Sequence, residues 1–136
     1  ISREIEYEYK LMLDNRIIRV LAYNLQTILA EKLETVISRS DQNTRPRDFY
    51  DVYIVTKVQA QNINIPLLRI ALNATAEKRG TISAIEKYEE IMSVVRDSNI
   101  MKERWEAYRK DFNYAADIEF NEVCDAVLWI MRCISA

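Results

Sequence analysis

Apolar and polar residues alternate from Ile5 to Tyr23, and then the pattern changes to a helical rhythm. Ile5, Tyr7, Tyr9, Leu11 and Leu13 share one face of a two-residue repeat. Asp14-Asn15 suits a two-residue turn, and Ile17 to Tyr23 reads as the return strand. Pairing across that turn sets Leu11 opposite Ile18, Tyr9 opposite Val20 and Lys10 opposite Arg19, with Glu8 near enough to relieve the two cations. A lone hairpin is marginal in water, so these strands need an upstream sheet or the helices behind them.

From Leu25 onward the spacing predicts helices over 25–39, 46–59, 64–79, 82–96, 98–112 and 118–135. Pro46 suits a first helical turn, with Thr44 or Asn43 as its cap. Gly80 is a natural stop for the third helix, and Thr81 or Ser83 can cap the fourth. Asp97 or Ser98 can cap the fifth, and Asp117 the sixth. In the last helix Phe120, Val123, Val127, Leu128, Met131 and Ile134 recur at helical spacing, the mark of a core or partner-facing stripe. The fold class that follows is mainly α: an amino-terminal β-hairpin followed by a bundle of about six helices.

One residue interrupts the first helical stripe. At about 100° per residue, Leu25, Ile28, Leu29, Val36 and Ile37 define a face with Lys32 near its centre. A lysine there must snorkel out, lose its charge or find an acid. Asp48 and Asp51 are the nearest acids on a separate helix, and three residues apart they share a face. Acids in a first turn are ordinary, each worth under about 1 kcal/mol against the helix dipole. Here Phe49, Val52, Tyr53, Ile54 and Val55 make the helix apolar nearly all round, so the two acids need a partner. A structural salt bridge and a phosphate-contacting lysine are both open readings.

Composition narrows the chemistry. The chain has 136 residues and a formal charge of -2, enough for a real core and without a global basic field for nucleic acid. With no histidine, Ser-His, Cys-His and His-metal chemistry within this chain are excluded. With Gly80 as its single glycine, the chain has no phosphate-binding glycine loop. Cys124 and Cys133 lie roughly 13 Å apart along one helix, too far for an internal disulfide. They read as reduced thiols of a cytoplasmic protein. No apolar run approaches the roughly 20 residues of a membrane span. Ile1 opens the chain in place of a methionine, which reads as a piece of a longer protein.

Two further groups stand out. Arg39, Arg45 and Arg47 flank the polar loop Ser40-Asp41-Gln42-Asn43-Thr44, either a solvated loop or a local basic lip for phosphates. Trp105, Tyr108, Phe112 and Tyr114 are spaced as helix-packing aromatics, with a base-stacking platform as the alternative.

The segment from Ala22 to Tyr53 contains Leu29-Ala30-Glu31-Lys32-Leu33 and Arg47-Asp48-Phe49-Tyr50-Asp51. These two motifs, in this order and at this spacing, resemble the AbiEii/AbiGii family, nucleotidyltransferase-like toxins of bacterial abortive-infection toxin–antitoxin systems. Ala74-Thr75-Ala76-Glu77-Lys78-Arg79-Gly80 and Trp105-Glu106-Ala107-Tyr108 also resemble the family's helical tail, so the resemblance spans most of the chain. It implies a phage-defence protein in which Lys32, Asp48 and Asp51 are active-site residues. Lys32, with Arg45 and Arg47, would contact a nucleoside triphosphate.

The family's amino-terminal half carries a glycine-rich motif and metal-binding acids that this chain does not supply. The resemblance therefore implies the end of a nucleotidyltransferase core over 1–58 and a helical carboxy-terminal domain over 59–136. No metal ligand is assigned here; magnesium is expected in the full-length protein, and the fragment alone is expected to be inactive. The bundle would position an acceptor such as RNA, or dock the antitoxin. The rival reading is a non-enzymatic helical interaction module whose Lys32–Asp48 pair is structural.

Overall fold

The computed structural model describes residues 24–136. The expected hairpin falls in residues 1–23, outside the described residues. Among the described residues the chain is mainly α, with seven α-helices and no strand. They are α1 (24–39), α2 (Pro46–Val58), α3 (Ile65–Arg79), α4 (Ile82–Glu86), α5 (Tyr88–Asp97), α6 (Asn99–Asp111) and α7 (Phe120–Ser135), with short 3-10 turns between several of them.

The last helix is the hub. α7 packs on α2, α3 and α5, while α6 closes against α2. Its apolar stripe is core: Phe120, Val123, Val127, Met131 and Ile134 are buried, and Cys124, Ala126 and Ile130 join them. Burying a large aliphatic side chain stabilises by about 1.5–3 kcal/mol, so this helix organises much of the hydrophobic gain. Both cysteines are free, Cys124 buried and Cys133 half-buried. Burial pushes the Cys124 thiol up to about 12. Among the described residues no helix is long and apolar enough to cross a membrane.

Local chemistry explains most boundaries. Pro46 opens α2, where its missing N–H costs nothing. Gly80 ends α3 in the left-handed region at φ 72°. There the Thr81 N–H reaches Ala76 O at 2.8 Å and the Gly80 N–H reaches Glu77 O at 3.3 Å, the Schellman arrangement. Ser98 caps α6 by accepting from the Met101 N–H at 3.3 Å.

Three details differ from expectation. Neither Asn43 nor Thr44 caps α2; Asn43 lies two residues before the N-cap Arg45, and its Oδ1 accepts the Arg45 N–H at 2.6 Å. That is an Asx turn, which sets up the helix without capping it. α7 starts after Glu119, not Asp117, because Glu119 and Glu122 form a reciprocal capping box. The helix expected over 82–96 breaks at Lys87 into α4 and α5. Neither glycine nor proline marks that break, and nothing in the sequence accounts for it.

Candidate phosphate-facing cleft

Seven buried positions of α1, Gln26, Leu29, Ala30, Leu33, Glu34, Val36 and Ile37, define its inward arc. At about 100° per residue that arc is centred near Gln26 and Leu33. Ile28, expected inside, is 51% exposed. Lys32 therefore sits on the rim of the buried arc and not at its centre. Its stem lies against the core while its ammonium reaches an open edge.

At that edge α2 supplies the acids. The Lys32 Nζ lies 3.2 Å from Asp48 Oδ1 and 3.1 Å from Asp51 Oδ2. Their spacing on α2 aims both carboxylates at one point on α1. The exposures are unequal: the Asp48 side chain is 3% exposed, Asp51 28% and Lys32 25%. Desolvation is the largest influence on the Lys32 ammonium and works against its charge. The bonds to Asp51 and Asp48 together outweigh it, and the pKa is raised. The second Asp48 oxygen, Oδ2, is buried without a hydrogen-bond partner, as is Asn43 Nδ2. Both atoms lie beside the α1–α2 loop and the Lys32 pair.

A polar cleft of about 460 Å³ runs over the outer face of α1. Lys32, Arg39, Arg45 and Asp48 line it on the side of α2, and Glu34 and Arg79 on the side of α3. Arg47 does not line it; its guanidinium stands out in solvent, 3.9 Å from Asp51.

The α3 side was not singled out in the sequence. Arg79 donates to Glu34 Oε2 at 2.5 Å, and the Thr81 hydroxyl donates to Glu34 Oε1 at 3.1 Å. The signal was present: Glu34 lies between Ala30 and Ile37 at helical spacing, and both of those are fully buried. Glu34 lies deeper in the buried face of α1 than Lys32 does, a buried acid that needs a partner. Gln26 was also passed over. It binds Asn62 O and the Asn64 N–H, both at 3.2 Å, and so pins α1 to the α2–α3 connection.

Two neighbours shape the site from outside. Arg104 of α6 donates to Asn43 O at 2.9 Å and Asp41 O at 3.3 Å, which staples the α1–α2 loop. On α2, Tyr50 meets Tyr114 at 4.6 Å between ring centroids, the two rings tilted at 55°. The Tyr108 and Tyr114 hydroxyls are 2.7 Å apart. Burial first, then that bond, raises the Tyr108 pKa. Trp105 and Tyr108 are buried packing residues, and Trp105 donates its indole N–H to Ile118 O at 2.9 Å. Of the four aromatics expected to pack or stack, Phe112 and Tyr114 are the exposed ones.

No three carboxylates or thiols come together among the described residues in a way that could hold a metal ion. Asp48 and Asp51 are both directed at Lys32. The arrangement holds a cation against a polar cleft and is suited to meeting an anion.

Comparison with known proteins adds one finding. A family model described as nucleotidyl transferase AbiEii toxin, type IV TA (toxin–antitoxin) system, matches residues 2–128. No curated protein and no solved structure matches the chain.

Proposed function

Because the chain belongs to the AbiEii nucleotidyltransferase toxin family, we propose that its cleft forms the phosphate-facing wall of a nucleotidyltransferase toxin. Lys32 meets the phosphates of a nucleoside triphosphate. Asp48 holds the ammonium from the buried side and Asp51 from the solvent side. The observation that carries this reading is the Lys32 ammonium, held 3.2 and 3.1 Å from two carboxylates at the edge of an open polar cleft.

Lysine suits the role as a compact charge with three donors, two held by Asp48 and Asp51 and the third free to meet an incoming phosphate. Both acids then keep its charge fixed and its position narrow, so little ordering is left for the moment of binding. Residues 1–58 would close the nucleotidyltransferase core, and the helices after them would position an RNA acceptor or dock the antitoxin that a type IV system implies. The described residues do not fit a magnesium ion, since both site carboxylates hold Lys32. No step of the chemistry is assigned to a metal here.

One observation favours the rival structural reading: Lys32 already has two acids and needs no ligand to be satisfied. Titration calorimetry of this chain with nucleoside triphosphates separates the two. The nucleotide reading expects measurable binding that Lys32→Ala weakens at least about tenfold, one lost charge-assisted bond. Unchanged binding in that variant leaves the pair purely structural. With magnesium and labelled nucleoside triphosphates the chain alone should transfer no label; clear transfer would refute the assignment of the metal-binding acids to a part that these residues lack.

A further inference from the structure

Nine arginines are described, at 39, 45, 47, 69, 79, 96, 104, 109 and 132. Most are engaged by the fold. Arg69 holds Ile134 O, Arg79 holds Glu34, Arg96 holds Asp125, Arg104 holds the α1–α2 loop, Arg109 holds Ala116 O, and Arg132 holds Glu89. Arg47 has Asp51 at 3.9 Å. The side chains of Arg39 and Arg45 make no ion pair or hydrogen bond among the described residues. Both line the cleft on the side that carries Lys32 and Asp48.

Their placement is built and not incidental. Arg39 lies seven residues after Lys32 on α1, two helical turns along the same face. Arg45 immediately precedes α2, whose first turn carries Asp48. The loop between the two arginines is held at both ends. Arg104 bonds the carbonyls of Asp41 and Asn43, and Asn43 accepts the Arg45 N–H. Ser40, next to Arg39, sits at φ 51°, a left-handed conformation that a non-glycine residue adopts at a cost of about 1–3 kcal/mol. Strain of that kind persists where the surroundings over-determine it, and here it turns the chain so that Arg39 and Arg45 flank one opening.

We infer that Arg39 and Arg45 form a two-arginine clamp for the terminal phosphates of a polyphosphate chain, extending the site from the Lys32 charge outward. The inference rests on the nucleotide reading of the cleft and adds Arg39, which neither the motifs nor the family resemblance assigns. A planar guanidinium presents paired donors that match two phosphate oxygens at once, so two of them favour a chain of phosphates over a single one. Glu31, which also lines the cleft, opposes this and sets a limit to its affinity for anions.

The probe is inorganic tripolyphosphate compared with inorganic phosphate, titrated calorimetrically into this chain. Wild type should prefer tripolyphosphate. Arg39→Gln and Arg45→Gln should each weaken tripolyphosphate binding about tenfold, the loss of one charge-assisted contact. Thermal unfolding should be unchanged, because neither side chain has a partner to lose. Lys110→Gln removes the same charge from an exposed site away from the cleft and should leave binding as it was. Equal losses in Arg39→Gln and Lys110→Gln, or no preference for tripolyphosphate in wild type, would overturn the clamp. Lys32→Ala distinguishes the two levels. Binding lost with Lys32→Ala but kept with Arg39→Gln removes the clamp alone. The opposite result keeps the clamp and removes the role given to Lys32.

Discussion

Glu34 and Asp48 are buried acids on two sides of one cleft, each bound to a cation from another helix. Glu34 uses both oxygens, one on Arg79 and one on Thr81. Asp48 uses Oδ1 on Lys32 and leaves Oδ2 buried and unpartnered. The first pair is complete and joins α1 to the end of α3. The second is incomplete, shares its lysine with Asp51, and borders the unpaired Arg39 and Arg45. Completeness is what a structural ion pair needs, because a buried charge is tolerated only when its partners are all in place. The contrast is between a closed ion pair that ties two helices together and an open one that, on the proposed reading, keeps its lysine and the neighbouring arginines available to an anion.

The comparison breaks most readily at Arg79. Arg79→Ala leaves Glu34 buried with a single hydroxyl, and should cost about 3 kcal/mol, the range for stranding a buried charge. Urea unfolding measures it. A loss below about 1 kcal/mol would show that the complete pair is no more structural than the other.

Lys32→Met should cost less, about 1–2 kcal/mol, since methionine keeps the stem's packing and loss of the ammonium opens Asp48 Oδ1 to the cleft. Its functional effect should be large: a growth assay on cells expressing the gene product should show toxicity lost from a protein that still folds. A stable variant that remains fully toxic would remove Lys32 from the mechanism.

Asp48→Asn should have the smallest effect on stability, within about 1 kcal/mol, because relief from desolvating a carboxylate offsets much of the lost attraction. The alkaline limb sharpens the same point. The Lys32 pKa is raised in the folded chain, so the pair's contribution is complete below the unfolded value of 10.5 and is lost as pH rises through the higher folded value. The stability difference between wild type and Lys32→Met should be flat up to about pH 10 and shrink above it. A difference that changed between about pH 6 and 8 would point to another group.

Much of this was legible in the chain. Helical periodicity located every helix except for the division at Lys87, and the proline and glycine marked the start of α2 and the end of α3 for steric reasons that tertiary structure does not override. The meeting of Lys32 with Asp48 and Asp51 was also readable, since a cation and two acids interrupt otherwise apolar helices. The centre of α1's buried face was not. Weighting the large aliphatics favoured Leu25 and Ile28, while the actual arc is extended by Ala30 and by two polar residues, Gln26 and Glu34, whose partners come from α3 and the connection before it. Periodicity cannot see partners that distant in sequence. Arg39 and Arg45 read either as solvated loop charges or as a basic lip for phosphates, with Arg45 also a nucleotide contact by resemblance, and the pairing of most other arginines is what sets these two apart.

The hub position of α7 has a consequence in time. Synthesis runs at about 5–20 residues per second, so α2 emerges several seconds before the helix it packs against. Lys32 and Asp48 are sixteen residues apart and can meet early. The apolar faces of α2, α3 and α5 have no shared partner until Phe120 to Ser135 is made. For those seconds a nascent chain carries its charged pair in place over an open core. Closure of this core therefore waits on Phe120 to Ser135, and the interval is when a chaperone or a second protein has access to surfaces that the closed core conceals.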